Sequence, residues 1–167
     1  MINEFKGKNH FLSNFSDSEF ELEGMKFKNA EAAFQSFKNL KRQKEFLNLN
    51  PSAAKKLGRS VELRDDWDEV KDHIMYKVVR AKFTSTKELM DKLIATGDAH
   101  LEEGNNWNDK YWGTCKGIGE NMLGRILMLV RTHVKNQQRL LELAIDQLPD
   151  KEYEVIMDIL TQPDTGE

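Results

Sequence analysis

Apolar residues recur at helical spacing along most of this 167-residue chain, which confines it to a mainly helical fold. Trp67, Val70, Ile74, Val78 and Ala81 form one stripe after Asp65-Asp66, and Leu123, Ile126, Leu127, Val130 and Val134 form another. A shorter helix is predicted from Ser85 to Ala95, stopping at Thr96-Gly97. Asn29 is a suitable N-cap for a helix to about Leu40, with room to continue through Phe46-Leu47. Asn50-Pro51-Ser52 reads as a break, with Ser52 capping a short helix that ends at Gly58. Residues 4–28 alternate Phe, Leu and Glu around Asp17-Ser18 and Glu23-Gly24, so short strands and turns are expected there. Residues 97–120 have no clear period and read as a long loop, of the kind that is usually functional or disordered. The expected architecture is a compact single helical domain with a small β element near the N-terminus and a C-terminal helical extension.

Charge supports that division. Residues 135–167 hold three basic residues (Lys135, Arg139, Lys151) against eight acidic ones, whereas residues 1–134 hold 22 basic and 20 acidic. The chain therefore divides into a domain over 1–134 and an acidic extension over 135–167. In the extension two helices are expected, around 136–148 and 150–161, separated by Pro149 and suited to packing on the domain or to forming a homodimer. The net charge of −3 argues against a dedicated duplex-DNA binder but leaves nucleic acid open as a substrate. No apolar run is long enough to span a bilayer, and Met1–Lys6 lack the character of a signal peptide. A single cysteine, Cys115, forms no intrachain disulfide and fits a reducing, cytoplasmic setting.

Chemistry-bearing residues gather in three runs: Phe11-Leu12-Ser13-Asn14-Phe15, Asn29 to Gln35 with Lys38 beyond, and Asp109-Lys110-Tyr111-Trp112-Gly113. At about 100° per residue, Glu31, Gln35 and Lys38 share one helix face with Phe34 beside it. A carboxylate and an amine so placed suit a concave site, and equally suit a solvated face. Trp107 and Trp112, on a polar loop, suit stacking on a base or ribose. The loop's Gly113, Gly117 and Gly119 could let backbone N–H groups approach an anion, or could simply close the loop. Lys55, Lys56, Arg59 and Arg64 could grip a phosphate or form a solvated basic face. His10, His73, His100 and His133 have no metal-ligand spacing, and no nucleophile elbow is present, so neither metal nor cofactor is expected.

Taken in order, these runs resemble the NADAR (YbiA-like) family. The resemblance also rests on Leu57-Gly58-Arg59, Trp67-x-x-Val70-Lys71-x-x-Ile74-Met75 and Lys82-Phe83. Farther along it rests on Thr96-Gly97 with Leu101 and Glu103, Asn108-Asp109-x-x-Trp112-Gly113, and Asn121-x-Leu123-Gly124-x-x-Leu127-Met128-x-x-Arg131. The resemblance implies a mainly α-helical domain that hydrolyses N-glycosidic bonds, in ribosylamino-pyrimidine phosphates of riboflavin biosynthesis or in ADP-ribose attached to guanine. The partner would then be a ribosylated or ADP-ribosylated nucleobase, free or on nucleic acid. Both substrates carry ribose on an exocyclic amine, which suggests Glu31, Lys38 and Asp109 as the catalytic set. Lys38 would form an imine with the opened sugar, or would only hold a phosphate while two carboxylates direct hydrolysis. Substrate binding would fall to Asn14, Phe15, Gln35 and Arg59, and to Trp67, Trp112, Gly113 and Asn121. Two departures keep open a non-catalytic module that binds ADP-ribose or an NAD-derived nucleotide: Ala32 stands where many members have His, and Thr114-Cys115 follow the Trp-Gly pair.

Overall fold

The computed structural model describes residues 1–147. Residues Met1–Thr132 form one compact unit. Strands β1 (Phe20–Leu22) and β2 (Met25–Phe27) make an antiparallel hairpin in which Leu22 faces Met25. The two turn residues, Glu23 and Gly24, both have positive φ (52° and 73°), the geometry whose twist matches that of the strands. Helix α1 (Ala30–Ser36) follows, capped by Asn29, whose side chain accepts from the Ala32 N–H at 2.8 Å. All seven of its residues are buried, and it packs against β2, α2 (Pro51–Gly58) and α3 (Trp67–Thr84).

This first helix is shorter than its apolar pattern predicts. After Ser36 the chain tightens: the Lys38 N–H bonds Gln35 O at 3.2 Å and the Asn39 N–H bonds Ser36 O at 3.4 Å. Asn39 is then extended, and a 3₁₀ segment runs from Leu40 to Phe46. The cap of α2 is Asn50, which accepts from the Ala53 N–H at 2.9 Å, and not Ser52; Pro51 takes the first helical position, where its missing N–H costs nothing. Helix α3 buries Trp67, Ile74, Met75, Val78, Val79, Lys82 and Phe83. Helix α4 (Lys87–Ala95) is capped by Thr86.

The long loop carries more structure than its composition predicts. Glu102 N–H bonds Ile2 O at 2.8 Å, so the N-terminus lies along residues 100–102. Strand β3 (Gly104–Asn105) then pairs in parallel with β4 (Thr114–Cys115). Helix α5 (Met122–Asp146) buries Leu123, Ile126, Leu127, Val130 and Val134 and is continuous through the start of the extension, so 136–146 is not a separate helix. The helix expected at 150–161 lies outside the described residues. Among the described residues, no helix is long and apolar enough to cross a membrane. The fold is mainly α.

Candidate active site

A cavity of about 940 Å³ opens between α1, α2, α3 and the 103–112 loop. Glu31 sits within it, only 7% exposed. Its Oε1 accepts from Gln35 Nε2 at 2.9 Å, the i to i+4 contact of a helix. Burial raises the Glu31 pKa from its ordinary value, against the Gln35 hydrogen bond and the pull of Lys55, Lys38 and Arg59. Lys38 enters from the turn beyond the helix rather than from its face. Its Nζ donates to Gly58 O at 3.3 Å and lies 5.7 Å from the Trp67 ring centre. Burial lowers its pKa; the Glu31 carboxylate opposes this, and Arg59 and Lys55 add to it. A partly desolvated amine beside a buried carboxyl is a combination suited to proton transfer and carbonyl chemistry.

The walls are aromatic and cationic. Phe34 contacts Trp67 (centroids 5.2 Å apart) and meets Trp112 edge-on at 5.1 Å. Trp112 also meets Tyr111 edge-on at 5.1 Å, and the Tyr111 hydroxyl donates to Asp72 at 2.7 Å. Mainly through burial, and then through Asp72, the Tyr111 pKa is pushed up to about 12. Trp107, by contrast, lines the cavity with 54% of its surface exposed. Lys55 lies 5.5 Å above the Phe15 ring. Asn14 donates to Met75 Sδ at 3.4 Å, and its carbonyl accepts from the Glu31 N–H at 3.0 Å, tying the first run to the second.

Asp109 closes its own loop. Its Oδ1 accepts from the N–H groups of Tyr111 (3.1 Å) and Trp112 (2.9 Å), and Asn105 Oδ1 accepts from its N–H at 3.1 Å. A third acidic side chain also lines the cavity: Glu103, whose pKa is raised to about 7 by burial first and then by Asp109. Among the described residues, no group of three or more His, Cys, Asp or Glu is placed to hold a metal.

A model of the NADAR domain matches residues 2–135. This chain belongs to the NADAR family. Among its NADAR relatives, it is 38% identical to the N-glycosidase YbiA of Escherichia coli (strain K12) over 126 residues, 72% of this chain and 78% of that protein. It is 34% identical over 135 residues to a riboflavin biosynthesis protein of Vibrio vulnificus, 77% of this chain and 36% of that protein. The NMR structure of E. coli YbiA superposes with a TM-score of 0.73 at 32% identity, covering 83% of this chain and 89% of that one.

The NADAR cavity brings together Glu31, Lys38, Asp109, Asn14, Phe15, Gln35, Arg59, Trp67 and Trp112. Gly113 and Asn121 do not line it. A Cβ on Gly113 would lie 2.1 Å from Glu103 O, so glycine is required there for packing and not for an anion. Asn121 stitches two segments, accepting from the Glu103 N–H at 3.0 Å and donating to Leu101 O at 2.9 Å. Gly117 and Gly119 also lie outside the lining. Of the four basic candidates, Lys55 and Arg59 line the cavity; Lys56 does not, and Arg64 pairs with Asp66. Ala32 is fully buried, and Ala32, Thr114 and Cys115 are all absent from the lining. Glu103 was not among the sequence candidates, and Trp107 was one only as a stacking ring on the loop. Trp107 carried a local signal, an aromatic ring on a polar loop. For Glu103 the only signal was its place in the family pattern.

Proposed function

We propose that this NADAR protein is an N-glycosidase that hydrolyses the bond between ribose C1′ and an exocyclic amine of a base. Its substrates would be ADP-ribosylated guanine or a ribosylamino-pyrimidine phosphate. The observation that carries this reading is the buried Glu31 carboxyl sharing one cavity with the partly desolvated Lys38 amine. The relatives named for N-glycosidase activity and for riboflavin biosynthesis support it.

Glu31 moves protons among the sugar, the amine and water, and Gln35 fixes its orientation. Lys38 either supplies an amine that exchanges into the sugar imine or, where water displaces the base directly, holds a phosphate. Asp109 steadies a ribose hydroxyl through the oxygen that the loop leaves free. Trp67, Trp112 and Phe15 offer faces for the base and sugar, and Lys55 and Arg59 receive phosphate. The single cysteine supports a cytoplasmic setting.

Glu31→Gln is expected to lower turnover by about two to four orders of magnitude, the range for general acid–base catalysis, with the melting transition retained. Wild-type turnover of both substrates by this variant would remove Glu31 from the mechanism. Borohydride treatment during turnover should leave a mass adduct on Lys38 by the imine route and none by direct displacement.

A further inference from the structure

We infer that Glu103 is the acid that protonates the departing nucleobase amine, a third carboxyl of the site alongside Glu31 and Asp109. The inference rests on the N-glycosidase reading and assigns within it the proton donor.

The backbone of Glu103 is held from several directions. Its N–H donates to Asn121 Oδ1 at 3.0 Å, and its carbonyl accepts from the Thr114 N–H at 2.9 Å and from Asn105 Nδ2 at 3.5 Å. Gly113 packs against that carbonyl with no room for a Cβ. The segment is thus built to present one side chain, and that side chain lines the cavity. Its Oε2 is buried without a hydrogen-bond partner. A charged oxygen left so is costly, and a proton on it removes most of that cost.

Charged groups reach Glu103 from every neighbouring element. Lys6 comes from the N-terminal segment, Glu31 from α1, Lys55 from α2, Lys82 from α3 and Asp109 from the loop. Burial, Asp109 and Glu31 favour the protonated form; Lys55 and Lys6 oppose it, and the balance lies at about 7. Asp109 commits Oδ1 to two backbone N–H groups, contacts that a carboxylate makes best.

In the step, the C1′–N bond breaks and its electron pair stays on nitrogen, which takes the Glu103 proton and leaves as the free amine. The oxygen of a water bonds to C1′, and the water's proton passes to the Glu31 carboxylate. Exchange with solvent returns both side chains to their starting states, so substrate and water are the only reactants.

The test compares kcat/KM from pH 5.5 to 9 for the wild type, Glu103→Gln and Glu103→Asp, on ADP-ribosylated guanine in a short DNA strand and on ribosylamino-pyrimidine phosphate. The wild type should lose activity above pH about 7 as Glu103 gives up its proton. Glu103→Gln should fall by about 10²- to 10⁴-fold and lose that alkaline limb, and Glu103→Asp should recover part of the rate and the limb. Asp109→Asn leaves Glu103 in place without its like-charged neighbour, so the limb should move to lower pH. A uniform loss in Glu103→Gln that keeps the limb, or an unmoved limb in Asp109→Asn, overturns the assignment while leaving the N-glycosidase reading intact. A wild-type protein inert on both substrates overturns that reading, and the assignment with it.

Discussion

Enclosed in the core, with its ammonium donating to Ser13 O at 2.8 Å and Ser16 Oγ at 2.7 Å, Lys82 loses its proton at about 7 instead of 10.5. Below both values the folded and unfolded chains carry the charge alike, and the folded chain bears the full cost of burying it. Between about 7 and 10.5 the unfolded chain binds the extra proton, so stability rises with pH across that window. The melting temperature should therefore climb from pH 7 to pH 9.5, and Lys82→Met should flatten the climb; an identical slope in the variant would place the titration elsewhere. Gly58 acts on the site through a single missing carbon. A Cβ there would lie 1.9 Å from Gln35 Oε1 and 2.7 Å from its Cδ, so Gly58→Ala must push Gln35 off Glu31. Overpacking of this kind costs about 1–3 kcal/mol, and turnover should fall while the KM for substrate changes little. A variant with wild-type kcat would show that Glu31 is positioned without Gln35.

Among the elements, the 103–115 loop carries two tryptophans with different attachments. Trp112 is braced by Phe34 and Tyr111, and Trp107 stands largely free. Stacking on a base is worth about 1–3 kcal/mol, so Trp107→Ala should raise KM by roughly 5- to 150-fold, with melting unchanged. Trp112→Ala should raise KM and lower the melting temperature together, which thermal scans beside kinetics can separate. The sequence displayed α1 well, because Glu31 and Gln35 share a face at helical spacing and the Asn29 cap is local chemistry. It placed Lys38 on that face, whereas the switch to 3₁₀ bonds after Ser36 brings the amine in from the turn. Gly113 and Asn121 looked like binding residues because loop glycines and amides serve packing and recognition equally. Glu103 owes its raised pKa to burial first and then to Asp109, with Lys55, Lys6 and Glu31 converging from distant parts of the chain, and no local pattern records such convergence.

At the scale of the whole molecule, every described residue that lines the cavity lies between Phe5 and Leu123. Removing residues 136–167 should then leave kcat/KM of the folded remainder within a few-fold, while lowering stability or changing sedimentation if the extension packs or pairs. Full loss of activity in a truncated protein that melts like the parent would instead make the extension part of the site. Helix α1 meanwhile carries Glu31 and Gln35 on seven residues that are all buried, so the helix that bears the chemistry also serves the core. Its substitutions are judged twice, by folding and by turnover, and few will pass both. Adaptation to a new leaving group should therefore concentrate at the rim, at positions such as Lys6, Phe15, Lys55 and Trp107, whose side chains line the cavity without being buried in the core. Selection of a randomised library on a foreign nucleobase should recover changes there and leave residues 30–36 untouched.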